Sequence, residues 1–299
     1  MCDDMDYVLP FVNCEDPVWT DQYRQTCGKG MDESRFRPFG TLKYAFRSVA
    51  KNLPFVDRIV LIVSTRSQVP YWINPDKVKI VTHDEFIPGK FLPTFNSSTI
   101  ETYMWKIKGL SELFLYGNDD FFVLKPLTED DFFLESLPRL DFEISDYKVR
   151  NMFRTCCRNG MDMAADAAGT ARSGGRVLLK PQHCIKGIND HQMKEVGCKI
   201  ADRIGDTVSP LRHWDNITGY VYHYYAYYTG KYATFNKTYT YIRIDNDYEK
   251  VLRLIANPET DMLCINDAGD LESERYEAAC HALTECFEKL FPERSVYEG

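Results

Sequence analysis

The sequence predicts an α/β fold with a mostly parallel sheet flanked by helices, and three observations carry that expectation. Short apolar runs alternate with segments of helical period over residues 6–140, the pattern of strand–helix–strand units. The run Ile59-Val-Leu-Ile-Val63 is apolar on both faces, as a strand covered by helices on each side must be. Oxygen-rich turns follow the apolar runs repeatedly, which places polar groups at the carboxyl ends of strands, where open α/β sheets bind ligands.

Taken in order, residues 6–12 read as a short buried strand followed by a polar turn from Asn13 to Pro17. Leu42, Ala45, Phe46, Val49 and Leu53 recur at helical spacing, and Pro54 stops that helix. Arg58–Ser64 and Val78–Val81 are strands. Ser98 and Glu101 form a capping box for a helix running to about Lys108. Leu113–Tyr116 is a strand that empties into Gly117-Asn118-Asp119-Asp120. Asn13–Asp16, Ser64–Arg66, His83-Asp84 and Asn118–Asp120 all fall at strand ends, so one site can collect them. Residues 145–182 are rich in Gly, Ala, Ser and Arg and weakly periodic; they read as an irregular segment, either a lid or a plain connector. A tyrosine-heavy helix spans Trp214–Tyr228, with its rings expected in the core. Met262–Ile265 is an apolar strand, and Glu272–Leu290 is a terminal helix with Tyr276, Cys280, Leu283, Phe287 and Leu290 on its apolar face.

Composition narrows the function classes. The 299 residues carry a net charge of −8, and no basic face is apparent, which argues against a nucleic-acid backbone as partner. No run of about 18 apolar residues exists, so no membrane-spanning segment is expected. The acidic Met1–Asp6 stretch lacks the features of a signal peptide, and the expected compartment is cytoplasmic. The ten cysteines include no C-x-x-C pair, and free thiols are the expectation.

The strongest chemical signal is Asn118-Asp119-Asp120: two adjacent carboxylates and an amide oxygen are hard ligands suited to Mg²⁺ or Mn²⁺ held with nucleotide phosphates. The same residues also make a good turn. Asn266-Asp267 repeats the pattern at the end of Met262–Ile265, and the two pairs together suggest a shared metal site. His183 and Arg212 supply what a phosphoryl centre needs beside a metal, a proton handler and a fixed cation. Arg35, Phe36, Arg37, Lys43 and Arg47 place basic groups around the start of the 40–53 helix, where a phosphate can be held.

In order along the chain, these residues resemble the Stealth family, which includes bacterial capsular-polysaccharide phosphotransferases. Asp6–Pro17 is similar to the family's Asp-x-Val-Tyr-Thr-Trp-Val-Asn/Asp-Gly-x-Asp-Pro, with Phe11 for the usual Trp and Cys14 for the usual Gly. A long second block runs from Arg35 through Leu92–Ser97 and Asn118–Asp120 to Phe133. A third holds Pro181-Gln182-His183 and Leu211-Arg212-His213, and a fourth holds Cys264-Ile265-Asn266-Asp267. The resemblance implies a single catalytic domain over 1–299 with a Rossmann-like, GT-A-like sheet. Residues 1–140 would be the nucleotide-sugar-binding half, 141–182 a lid or connector, and 183–299 the segments completing the site. The implied activity is transfer of a sugar-1-phosphate from a UDP-sugar to a sugar hydroxyl, releasing UMP. The alternative is a metal-dependent glycosyltransferase that uses the same donor and releases UDP. Carried over by position, Asp119, Asp120, Asn266 and Asp267 hold Mg²⁺ or Mn²⁺; Asp120 or His183 is the base; Arg212 clamps phosphate; and Asn13, Asp16, Arg37, Lys43, Asn96 and Ser97 line the donor pocket. The implied partners are the UDP-sugar and a carbohydrate acceptor.

Overall fold

The computed structural model describes residues 5–28, 36–148, 151–174, 176–244, 248–267 and 271–299; Arg35 of the basic cluster lies outside them. The chain begins with β1 (Asp6–Pro10), α1 (Pro17–Cys27), α2 (Leu42–Asn52), β2 (Arg58–Val63), β3 (Val78–Thr82) and α3 (Ser97–Tyr103). It continues through β4 (Leu113–Tyr116), β5 (Phe121–Val123), β6 (Phe133–Leu134), β7 (Leu137–Leu140) and β8 (Phe142–Asp146). Next come α4 (Met152–Ala168), β9 (Val177–Pro181), β10 (Lys186–Asn189), α5 (Asp190–Ile204), α6 (Val221–Tyr228) and β11 (Ala233–Thr234). The last elements are β12 (Tyr239–Arg243), α7 (Tyr248–Ala256), β13 (Met262–Asn266) and α8 (Ser273–Leu290).

The main sheet has the order β10-β4-β1-β2-β3. Its β4, β1, β2 and β3 are mutually parallel and β10 is an antiparallel edge, giving the mostly parallel α/β layout expected. Side-chain alternation at period two sorts the central strands between two cores. Val8, Val60, Ile62 and Phe114 face α4, α5 and α6, while Tyr7, Leu9, Leu61, Val63 and Leu115 face α2 and the β5–β13 ladder. Burying each such aliphatic side chain contributes about 1.5–3 kcal/mol, so both faces hold the strands in register. A second sheet, β12-β13-β5, carries α7 and α8 on a third core.

Three expectations are corrected and one helix is added. Residues 145–182 are not irregular: β8 and β9 form an antiparallel pair around the 17-residue α4. That helix is capped by the Asn151 side chain at one end and left-handed Gly169 at the other. Its buried residues are Cys156, Cys157, Gly160, Met161, Met163, Ala164 and Ala165, and Gly160 lets it lie close against Ile217 and Thr218. The helical period is present but broken up by polar residues such as Arg154, Arg158, Asn159 and Asp162. The capping residue of α3 is Asn96, whose carboxamide accepts from the Ser98 N–H, so Glu101 is released for other work. The tyrosine helix begins at Val221, because Asn216 accepts the His213 N–H and closes a loop over 213–216 ahead of it. The turn after β1 leads into α1, started by Asp16 as N-cap and Pro17 at the first position.

As expected, the nine described cysteines are free thiols. Tyr222, Tyr224 and Tyr225 are core residues. Among the described residues no helix is long and apolar enough to cross a membrane.

Candidate active site

The site is assembled where β4 ends. Gly117 follows the strand, and its backbone N–H donates to the Val8 carbonyl at 3.1 Å. A Cβ at Gly117 would fall 2.0 Å from the Tyr7 hydroxyl, so only glycine lets the turn settle against that ring. Asn118, Asp119 and Asp120 then bridge to β5, with the Phe121 N–H closing the turn on the Asn118 carbonyl at 3.2 Å.

The β5–β13 ladder brings the distant acid-amide pair to the same place. Cys264 pairs with Phe121 in antiparallel register, and the Ile265 N–H donates to the Asp120 carbonyl at 3.0 Å. The Cys264 thiol lies 3.4 Å from Asp120 Oδ2, and the Asn266 side chain also bonds Asp120. Asp120 Oδ1 is enclosed and has no hydrogen-bond partner among the described residues. Burial pushes both Asp119 and Asp120 above the usual carboxylate range, and Asp119 is raised further by the charge of its neighbour. Two carboxylates under mutual repulsion, one with an orphaned oxygen, are a fit for a divalent cation.

Asp267 behaves differently. It makes a bidentate ion pair with Arg37, at 2.5 and 3.2 Å, in which both side chains are largely buried. Arg37 also stacks 4.2 Å above the Tyr276 ring. Of the predicted metal ligands, the structure therefore groups Asp119, Asp120 and Asn266, and gives Asp267 an internal cation.

His183 follows β9 and joins Asp120 and Cys264 in a cluster whose ligand atoms all lie within 4.8 Å of one another. Its Nδ1 is 3.2 Å from the Tyr220 hydroxyl, and Phe121 and Tyr241 set their rings edge-on to it. Burial, with Lys186 and Arg212 adding, pulls the imidazole down to about 3, so it is neutral near pH 7. Arg212 donates to Ser97 Oγ at 2.9 Å, which joins two predicted residues beside the site.

The remaining predicted residues have structural engagements. Asn96 is fully enclosed, with its amide N–H groups donating to the Ser209 and Leu211 carbonyls and to Asn216 Oδ1. Asn96 is thus a peg between α3 and the 207–216 loop, not a surface a ligand reaches. Asp16 Oδ1 caps α1, while its Oδ2 is enclosed without a partner. Asn13 exchanges backbone hydrogen bonds with the Gln68 side chain, and Lys43 lies 4.7 Å over the Tyr44 ring.

Sequence reading missed the cavity beside the turn, lined by Glu101, Tyr116, Asn118, His183, Lys186 and His223 among others. Glu101 accepts from the Tyr116 hydroxyl and from the Gly219 N–H, both at 3.0 Å, and burial pushes its carboxyl above the usual carboxylate range. Lys186 donates to the Cys184 carbonyl at 2.9 Å over the Tyr220 ring, and burial pulls its ammonium down. Glu101 was signalled by its place in the misassigned capping box and in the second block of the resemblance; Lys186 carried no signal.

An α/β protein with a cation-hungry acidic turn at the carboxyl edge of its sheet defines the class. Residues 35–139 match the model of Stealth protein CR2, conserved region 2. The chain is 29% identical to the capsular polysaccharide phosphotransferase SacB of Neisseria meningitidis serogroup A over 99% of its own length and 57% of that protein's. It is 27% identical to the capsular polysaccharide phosphotransferase WcwK of Streptococcus pneumoniae over 98% of both chains. A second WcwK is 40% identical over 47% of this chain and 44% of the relative. The chain thus spans about half the length of several curated relatives. Residues 35–139 thus carry a Stealth conserved region, and the chain is similar along nearly all its length to capsular polysaccharide phosphotransferases. Among solved structures, the inositol-1-phosphate CTP transferase from T. maritima superposes with a TM-score of 0.41 at 13% identity over 95% and 97% of the two chains. The galactosyltransferase LgtC gives 0.40 at 10% identity over 95% and 96%.

Proposed function

We propose that this chain moves a sugar-1-phosphate, of a hexose or N-acetylhexosamine, from a UDP-sugar to a sugar hydroxyl in capsular or extracellular polysaccharide synthesis. The observation that carries the reading is the juxtaposition of a neutral imidazole, His183, with the unneutralised carboxylate of Asp120 at the carboxyl edge of the sheet. The names of the relatives support the same activity.

The acceptor hydroxyl attacks the phosphorus that bears the sugar. A P–O bond forms to the acceptor as the P–O bond to UMP breaks, so charge builds on phosphoryl oxygens and not at the anomeric carbon. His183 or Asp120 takes the hydroxyl proton. Mg²⁺ or Mn²⁺ held by Asp119, Asp120 and Asn266 would neutralise the charge on the phosphates. Arg212, fixed by Ser97, offers a permanent cation for the reacting phosphoryl group. Arg37 holds Asp267 in place and so orients the strand end that carries Asn266. Residues 1–140 provide the donor side, with Asn13, Asp16, Lys43 and Ser97 near the donor.

Incubation with a UDP-sugar, Mg²⁺ and an acceptor, followed by identification of the nucleotide, tests the reading. UMP and a phosphodiester signal in phosphorus NMR are expected. UDP with a phosphate-free glycoside would establish the glycosyltransferase alternative instead.

A further inference from the structure

We infer that Asp120, His183 and Cys264 form a binding site for a borderline-soft divalent cation, Zn²⁺, whose ligand chemistry differs from that of the hard-ion centre proposed above. This goes beyond the proposed transfer activity and does not depend on it. The three donors come from separate parts of the chain: the turn after β4, the segment after β9, and β13. Their ligand atoms already lie within 4.8 Å of one another. Tetrahedral Zn²⁺ sits about 2.0–2.3 Å from nitrogen, oxygen and sulfur ligands, which puts them roughly 3.3–3.8 Å apart and calls for a contraction of up to about 1.5 Å.

Two further observations point into the same spot. Asp120 Oδ1 is enclosed with no partner, and Asp120 Oδ2 already faces the Cys264 sulfur at 3.4 Å. A cation entering there displaces the thiol proton to solvent and takes thiolate, carboxylate and imidazole together. The Tyr220 hydroxyl at Nδ1 fixes the His183 ring, the outer-shell support that metal-bound histidines use. Magnesium prefers oxygen donors and disregards thiolate and imidazole, whereas this donor set suits zinc. Three protein ligands leave a fourth position open for water or a phosphate oxygen. Because Asp120 serves both ions, Zn²⁺ and Mg²⁺ exclude each other at that carboxylate.

Cobalt(II) is the probe, titrated into the reduced full chain without Mg²⁺ and followed by its near-ultraviolet thiolate-to-cobalt charge-transfer band. One equivalent should raise the band, Zn²⁺ should abolish it, and Cys198→Ser should leave it intact. Cys264→Ser should remove the band and weaken Zn²⁺ binding by more than the roughly 10–100-fold that loss of an outer-shell partner costs. A wild-type chain without the band, or a band that survives Cys264→Ser, overturns the inference. X-ray absorption of the zinc-loaded wild-type chain needs no variant: one sulfur at about 2.3 Å is expected, and a shell of oxygen and nitrogen alone is fatal to the idea. UMP release measured in the same preparation reports separately on the transfer activity.

Discussion

The two acid-amide strand ends, Asn118–Asp120 and Asn266-Asp267, look alike in sequence and are opposite in electrostatics. At the first, two carboxylates repel each other and one oxygen of Asp120 has no partner. At the second, Asp267 is neutralised by a buried arginine that arrives from 230 residues away. On the proposed reading the first turn takes a cation from outside, whereas the second brings its own. A motif of hard ligands becomes a metal site only where the fold withholds an internal counter-charge.

Asp120→Asn tests the contrast most directly. With a UDP-sugar donor, the rate of nucleotide release should fall by at least about 10³-fold while the chain stays folded. Asp267→Asn should instead act on stability. If the two substitutions lower the rate equally at unchanged stability, the distinction between the strand ends is lost. His183→Gln should cost about 10²–10⁴-fold in rate with little change in donor binding, read as kcat against KM.

Arg37→Met leaves Asp267 buried without its cation. Chemical denaturation should show a loss of about 3–5 kcal/mol, the usual cost of removing one partner of a buried ion pair. An exposed pair would lose under about 1 kcal/mol, and that result would mean the second strand end is as open as the first.

Gly117→Ala drives a methyl group into the Tyr7 hydroxyl. A destabilisation of about 1–3 kcal/mol is expected, with weakened Mg²⁺ binding and an intact Arg37–Asp267 pair.

The smallest effect concerns pH. Asp119 and Asp120 bind protons more tightly in the folded chain than in the unfolded one. Stability of the metal-free chain should therefore fall as pH rises from the ordinary carboxylate value near 3.9 toward neutrality, with the penalty fully present above that window. Saturating Mg²⁺ or Asp120→Asn should flatten this part of the profile; a slope unchanged by both would refute the repulsion at the first turn.

How much was legible in the sequence follows from the range of each signal. β1 to β4, α2, α8 and the acidic turn are set by periodicity and turn chemistry within a few residues, and these were readable. Helix α4 was not, because polar residues such as Arg154, Arg158, Asn159 and Asp162 break up the apolar pattern of its buried Cys156, Met161, Ala164 and Ala165. Asn96 looked like a ligand-facing amide and is instead a sealed cap. Glu101 looked like a cap and instead lines the cavity.

From the sequence alone came the α/β class, the strand that ends in Asp119-Asp120, and its likeness to the strand that ends in Asn266-Asp267. Those depend on local patterns of burial and hydrogen bonding that neighbouring residues dictate. Only the tertiary structure decided that Cys264 and His183 converge on Asp120 and that Arg37 claims Asp267. Strand register and long-range packing place charges next to one another, and a carboxylate's role depends on which cation, internal or external, can reach it first.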